Sequence, residues 1–149
     1  LALTLGLTDS LEIGIASVGF GESPQALPLL KARLWPERKG QPGLALGLEG
    51  ESLYVVGSKR LAVGGLRGHL GIGTGRFNGP FLAIDKVLNP VRIIQEKGLE
   101  APLSTFMAEY AGGDLNLGMR FAFPEGFKVD FGLADLKDFA FGLGFTSRF

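Results

Sequence analysis

The chain has no cysteine among its 149 residues. That excludes a disulfide scaffold, a cysteine nucleophile and cysteine-bound zinc. It has no net charge, with 15 Lys+Arg against 15 Asp+Glu, so the basic face that nucleic acid requires is not expected. No apolar run approaches the roughly 18 residues of a membrane-spanning helix. There is one His and one Trp. No Ser or Cys nucleophile motif accompanies His69, so it reads as a packed histidine rather than a general base. Gly71-Ile-Gly-Thr-Gly75 lacks the Lys-Ser/Thr and the strand-to-helix context of a phosphate loop. No His/Asp/Glu spacing suggests a metal site. The expectation is a protein that is not an enzyme and carries neither cofactor nor metal.

What is abundant is glycine, 24 residues, and phenylalanine, 12, with a mean hydropathy of +0.25. Without a G-X-Y period this is not collagen, and it is too aromatic for disorder. Many short apolar runs between Gly-rich breaks read as all-β. The length suits a single domain, 1–149. The chain starts at Leu1 inside a strand-like pattern, without Met or signal peptide, and reads as a mature or trimmed form.

Alternating segments recur along the chain. They are Leu1 to Leu7, Leu11 to Phe20, Leu29 to Trp35, Gly43 to Glu49, Ser52 to Leu61, Leu66 to about Gly75, and about Pro80 to Val87. Leu103 to Tyr110, Asp114 to Phe123, Phe127 to Ala134 and Phe139 to Arg148 follow. Turn residues such as Ala111-Gly112-Gly113 and Pro124-Glu125-Gly126 separate them. Segments of this length and spacing predict an antiparallel up-and-down β-barrel of about ten to twelve strands. An even number is expected, with Pro80 to Val87 dropped or a further strand before Leu1. Asn89-Pro90 to Gly98 has helix-start and helix-stop residues and predicts a short helix, either packed on the rim or lying at a membrane surface.

The two faces of these strands differ in kind. Leu115, Leu117, Phe121, Val129, Phe131, Phe141, Leu143 and Phe145 share one parity, and Gly, Ala and isolated charges share the other. A soluble surface would carry long polar side chains at nearly every position of that second face. Small residues with sparse charges suit a narrow lumen, with the large residues facing lipid. The inward charges are then Glu12, Lys31, Arg33, Glu49, Arg67, Glu109, Asp114, Arg120, Lys128, Asp130 and Arg148, with His69 among them. They are expected to pair into a network through the lumen, either filling it or lining a path. Trp35, Tyr54, Tyr110, Phe77, Phe123, Phe127 and Phe139 fall near strand ends, where an interfacial belt would sit.

Phe149, ending an alternating apolar strand, resembles the assembly signal of bacterial outer-membrane barrels. A series of short stretches resembles Gly-rich barrels of the exopolysaccharide-associated, YjbH-like family. They are Leu7 to Gly14, Pro42 to Leu48, Tyr54 to Lys59, Gly73 to Gly79 and Ala108 to Gly118. That resemblance implies an outer-membrane barrel with the lipid bilayer as its surroundings (detergent or lipid molecules around it in solution) and a part in surface polysaccharide export. It brings no catalytic residue. A narrow channel, and a soluble calycin-like barrel with an apolar ligand, are the alternatives.

Overall fold

A computed structural model describes residues 2–18, 25–89 and 101–146. These residues form eleven strands that close into one barrel. In order they are β1 (Ala2–Thr8), β2 (Leu11–Val18), β3 (Gln25–Trp35), β4 (Gly43–Glu49), β5 (Ser52–Arg60) and β6 (Leu66–Gly73). They continue as β7 (Gly79–Val87), β8 (Leu103–Ala111), β9 (Asp114–Ala122), β10 (Phe127–Ala134) and β11 (Asp138–Thr146), with a 3-10 turn at Gly75–Phe77. Each strand pairs antiparallel with its neighbour in sequence, as tight hairpins require.

The expectation of an even, wholly antiparallel barrel is corrected at one seam. Strand direction alternates along a meander, so the first and eleventh strands run the same way. They close the barrel as a parallel pair, from Ala2↔Gly142 to Gly6↔Thr146. The segment from Pro80 to Val87, expected to be dropped if the number was even, is a full strand paired on both sides. The helix expected over 89–98 lies outside the described residues except for Asn89. Asn89 Oδ1 accepts from Ser104 N, while its Nδ2 donates to Pro102 O, so this side chain ties 89 to the start of β8.

Apart from bulges at Gly6/Thr8 and Arg33/Trp35, register carries parity around the barrel. Leu5↔Ile13, Ile13↔Leu30, Leu30↔Leu48 and Leu48↔Leu53 lie on one face. Gly6↔Glu12, Glu12↔Lys31 and Lys31↔Gly47 lie on the other. The first face points outward. It exposes Ile15 (59%), Leu70 (69%), Leu82, Phe131 and Phe145, among others. The described residues bury only Ala45, Val56, Phe77, Phe81 and Ala111 as an apolar core. An ordinary water-soluble domain does the reverse, gathering its large apolar side chains inside. Here backbone pairing closes the sheet on itself, leaving no unpaired edge.

Two inward glycines are sites of close approach. A Cβ on Gly47 would run into the Tyr54 ring, and one on Gly71 into the Phe81 ring. These are cross-strand partners, Gly47↔Tyr54 and Gly71↔Phe81. Each aromatic ring lies across the bare backbone opposite it, as in aromatic rescue of glycine. Alternate glycines therefore make room for rings inside a narrow barrel.

Candidate functional site: the lumen

The lumen has two unlike ends. At the end where β5 starts and β6 finishes, the 3-10 turn folds inward. Phe77 is 2% exposed. Its ring packs 4.9 Å from Tyr54 and 4.7 Å from Phe81, centroid to centroid. Gly75 opens the turn and Asn78 follows it, both with positive φ, at 59° and 46°, which Gly tolerates freely and Asn better than most residues. Arg76 N donates to Ser52 Oγ (3.0 Å), and Gly112 N to Phe77 O (3.0 Å), stapling the turn in place. Arg76 then reaches Glu49 on β4 (2.9 Å) and Glu109 on β8 (3.5 Å), and lies 4.3 Å over the Phe77 ring. One guanidinium thus ties together strands on different sides of the barrel.

This corrects the aromatic belt. Trp35, Tyr110, Phe127 and Phe139 are exposed, while Tyr54 and Phe77 turn inward. Tyr54 has lumen parity, and the bare Gly47 beside it leaves room for its ring.

The middle of the lumen is polar. Arg120 Nε and Nη2 donate to the two oxygens of Asp130 at 2.7 and 2.8 Å, a bidentate pair between register partners on β9 and β10. Asn116 Nδ2 donates to Glu109 (3.2 Å), and Lys128 Nζ to Thr146 Oγ1 (3.0 Å). His69 lies between Ser58 and Asp85, 2.7 Å from each. A cavity of about 580 Å³ runs past Arg76, Phe77, His69, Asp85 and Arg120. A second, of about 380 Å³, runs past Glu12, Lys31, Arg33, Ser58, Arg67, His69 and Lys128. Lys31, Arg67 and His69 border both.

The other end is basic. A cavity of about 610 Å³ there is bordered by Arg33, Arg38, Lys39, Lys59, Arg60 and Arg67, with Glu37 the one carboxylate. Glu37 Oε1 accepts from Arg60 N (2.8 Å), and Oε2 lies 3.3 Å from Arg67. The Arg60 hydrogen bond, aided by the cations around it, holds the Glu37 carboxyl below its usual range. Lys59 Nζ donates to the carbonyls of Arg38 and Gln41, fixing the loop over the mouth. The 3-10 end carries the opposite sign, with Glu51, Asp114, Asp135 and Asp138 in its turns and strand ends. Lys137 there pairs with Asp135, and that pairing raises its pKa.

The sequence-predicted residues fall as follows. Glu12, Lys31, Arg33, Glu49, Arg67, His69, Glu109, Arg120, Lys128 and Asp130 share the inward parity. They form separate clusters rather than one network. Glu12 and Lys31 are register partners, yet neither they nor Arg33 and Lys128 make an ion pair within 4 Å among the described residues. Asp114, the first residue of β9, has the same parity as Asn116 and Arg120 and is exposed beside the hairpin turn. Leu115, Leu117, Phe121, Val129, Phe131, Phe141, Leu143 and Phe145 share the outward parity, with Leu115, Phe131 and Phe145 the most open of them. Arg148 and Phe149 lie outside the described residues.

Sequence reasoning missed Ser58, Asp85, Arg76 and Glu37. Ser58 and Asp85 carry inward parity, which was a usable signal, but their meeting at His69 depends on registers that parity alone does not give. No family model, curated protein or solved structure matches the chain.

The Arg120–Asp130 pair gives the first testable consequence. Both side chains are partly open to the lumen, so its strength is discounted for solvent screening. Arg120→Gln is expected to cost about 1–2 kcal/mol, because it removes a bidentate, charge-assisted pair and leaves Asp130 alone. Urea unfolding of the two proteins in the same medium measures the difference. An unchanged midpoint would mean that the pair contributes nothing.

Proposed function

We propose that this chain is an integral outer-membrane β-barrel with a structural or accessory role in the envelope. The observation that carries the reading is the inversion of its two faces. Leucine, isoleucine, valine and phenylalanine clothe the outside of every strand, and glycines, charged side chains and one small aromatic cluster occupy the inside. A bilayer takes up such an outer band, and a closed barrel leaves no backbone group unsatisfied within it. A calycin-like barrel would need its large apolar residues inward, around a ligand. The resemblance to YjbH-like barrels adds surface polysaccharide export machinery as the proposed partner.

The lumen favours a structural barrel over an open pore. Phe77, Tyr54 and Phe81 fill one end, and Arg76 clamps the filling to Glu49 and Glu109. Planar-bilayer recording tests this. The native protein is expected to insert and to pass little or no current. Arg76→Gln, which loosens the turn while leaving the strands intact, is expected to give resolvable openings. Large steady conductance from the native protein would replace the structural role with a channel. Failure to insert would remove the membrane assignment altogether.

The narrow-channel reading rests on one observation, that both polar cavities share Lys31, Arg67 and His69 as lining. A path of that kind would have to displace Phe77 before ions could cross.

A further inference from the structure

Ser58, His69 and Asp85 come from three successive strands, β5, β6 and β7, and all face the lumen. Ser58 and His69 are direct register partners. Ser58 Oγ is 2.7 Å from His69 Nδ1, and His69 Nε2 is 2.7 Å from Asp85 Oδ2. An ionised carboxylate can only accept, so the neutral ring must carry its proton on Nε2. Nδ1 is then left with a lone pair directed at the Ser58 hydroxyl. A hydroxyl, an imidazole to receive its proton and a carboxylate to hold the imidazole are the three parts of an activated serine. In the serine proteases the hydroxyl meets Nε2. Here it meets Nδ1, and the conjugated ring couples the two nitrogens in either sense.

Two further observations separate this trio from a hydrogen-bonded chain that merely fills space. Ser58 and His69 border the cavity of about 380 Å³, so the hydroxyl adjoins space for a reactant. Lys31 and Arg67 border the same cavity. Arg67 Nε is buried and has no hydrogen-bond partner, although the far end of its guanidinium meets Glu37. That nitrogen has no accessible surface of its own, so the positive charge offered to an oxyanion in the cavity is that of Lys31 and of the exposed remainder of the Arg67 side chain.

We propose that Ser58 is the nucleophile of an acyl-transfer site, with His69 as base and Asp85 as the group that orients it, acting on small esters that carry a negative charge. Ser58 Oγ attacks the ester carbonyl carbon as its proton passes to His69 Nδ1. Arg67 and Lys31 face the negative charge that gathers on the carbonyl oxygen. Collapse breaks the ester C–O bond, and Nδ1 returns the proton to the departing alkoxide. Water then attacks the acyl-serine, giving one proton to Nδ1. That proton goes back to Ser58 Oγ as the carboxylic acid leaves. No electron acceptor or further reactant is needed. The charge preference follows from the entrance, where Arg33, Arg67 and their neighbours draw in anions. The proposal goes beyond the structural role and does not depend on the membrane assignment.

The test treats the folded protein with an alkyl fluorophosphonate and locates the adduct by peptide mass spectrometry. Turnover of 4-nitrophenyl acetate and 4-nitrophenyl hemisuccinate is followed alongside. The expected adduct is on Ser58. Ser58→Ala removes both adduct and turnover, and Asp85→Asn slows labelling by at least about tenfold with Ser58 still present. The hemisuccinate is expected to turn over faster than the acetate at low salt. An unlabelled Ser58, or labelling at the native rate in Asp85→Asn, overturns the site. Equal turnover of the two esters overturns the anionic substrate class. Ser58→Ala deletes a single oxygen, and a gel mobility matching the native protein's verifies its fold. The assay runs in whichever medium, detergent or plain buffer, gives the folded band, so its failure is distinct from failure of the membrane reading.

Discussion

Leu70→Arg is expected to destabilise the barrel by about 2–4 kcal/mol when it is folded into lipid bilayers. Leu70 lies mid-strand on β6, faces outward and is 69% exposed, second only to Val63 among the described large apolar residues. If water surrounded the barrel, that exposure would make the change nearly neutral, since surface substitutions usually stay within about 0.5 kcal/mol. In hydrocarbon the guanidinium must instead lose its hydration or drag water inward. The same substitution therefore has two widely separated outcomes. Equilibrium urea titration of both proteins in lipid vesicles reads the difference. A variant as stable as the native protein there would mean that Leu70 does not face lipid.

Gly71→Val, one residue further on, is expected to prevent the barrel from closing in any medium. Its Cβ would meet the Phe81 ring on one side and come within 2.6 Å of the Val55 carbonyl oxygen on the other. The ring packs against Phe77 on one side and borders the cavity of about 580 Å³, so it can give way only in that direction. The carbonyl belongs to the sheet and cannot retreat without breaking strand pairing. Ordinary over-packing costs about 1–3 kcal/mol, and a clash against backbone lies at or above the top of that range. Gly71→Ala introduces the same Cβ with less bulk and should fall between the two. The measurement is the yield of folded, compact protein on a gel. Folding of Gly71→Val at the native yield would contradict the packing of Phe81 over Gly71. Neighbours on one strand thus fail for opposite reasons, one through its surroundings and the other through its lumen.

The faces were legible because contrast at period two is strong. Leu and Phe alternate with Gly and Ala in β9, β10 and β11, and a single-residue slip would exchange the faces completely. Most strand ends were legible because Gly, Pro and Asp mark the hairpins. Closure was not legible, since nothing in the alternation says which strand the first one will meet. The parallel seam follows only once the number of strands is known to be odd. Partners inside the lumen were hidden for a related reason. Parity puts Ser58, His69 and Asp85 on one face, but register decides that they touch. Arg76 was hidden more deeply, because it sits on a turn that folds into the barrel and meets residues from β4 and β8. Tyr54 and Phe77 misled because an aromatic residue near a strand end looks the same in sequence whether it faces a membrane interface or plugs the mouth.

The central claim is that the apolar outside of this barrel is built for lipid. The most direct measurement is electrophoretic mobility, unheated against boiled, after refolding in detergent micelles and in plain buffer. A compact band that appears only with detergent, and shifts on boiling, is the predicted result. A monodisperse, folded monomer in buffer without detergent would contradict it.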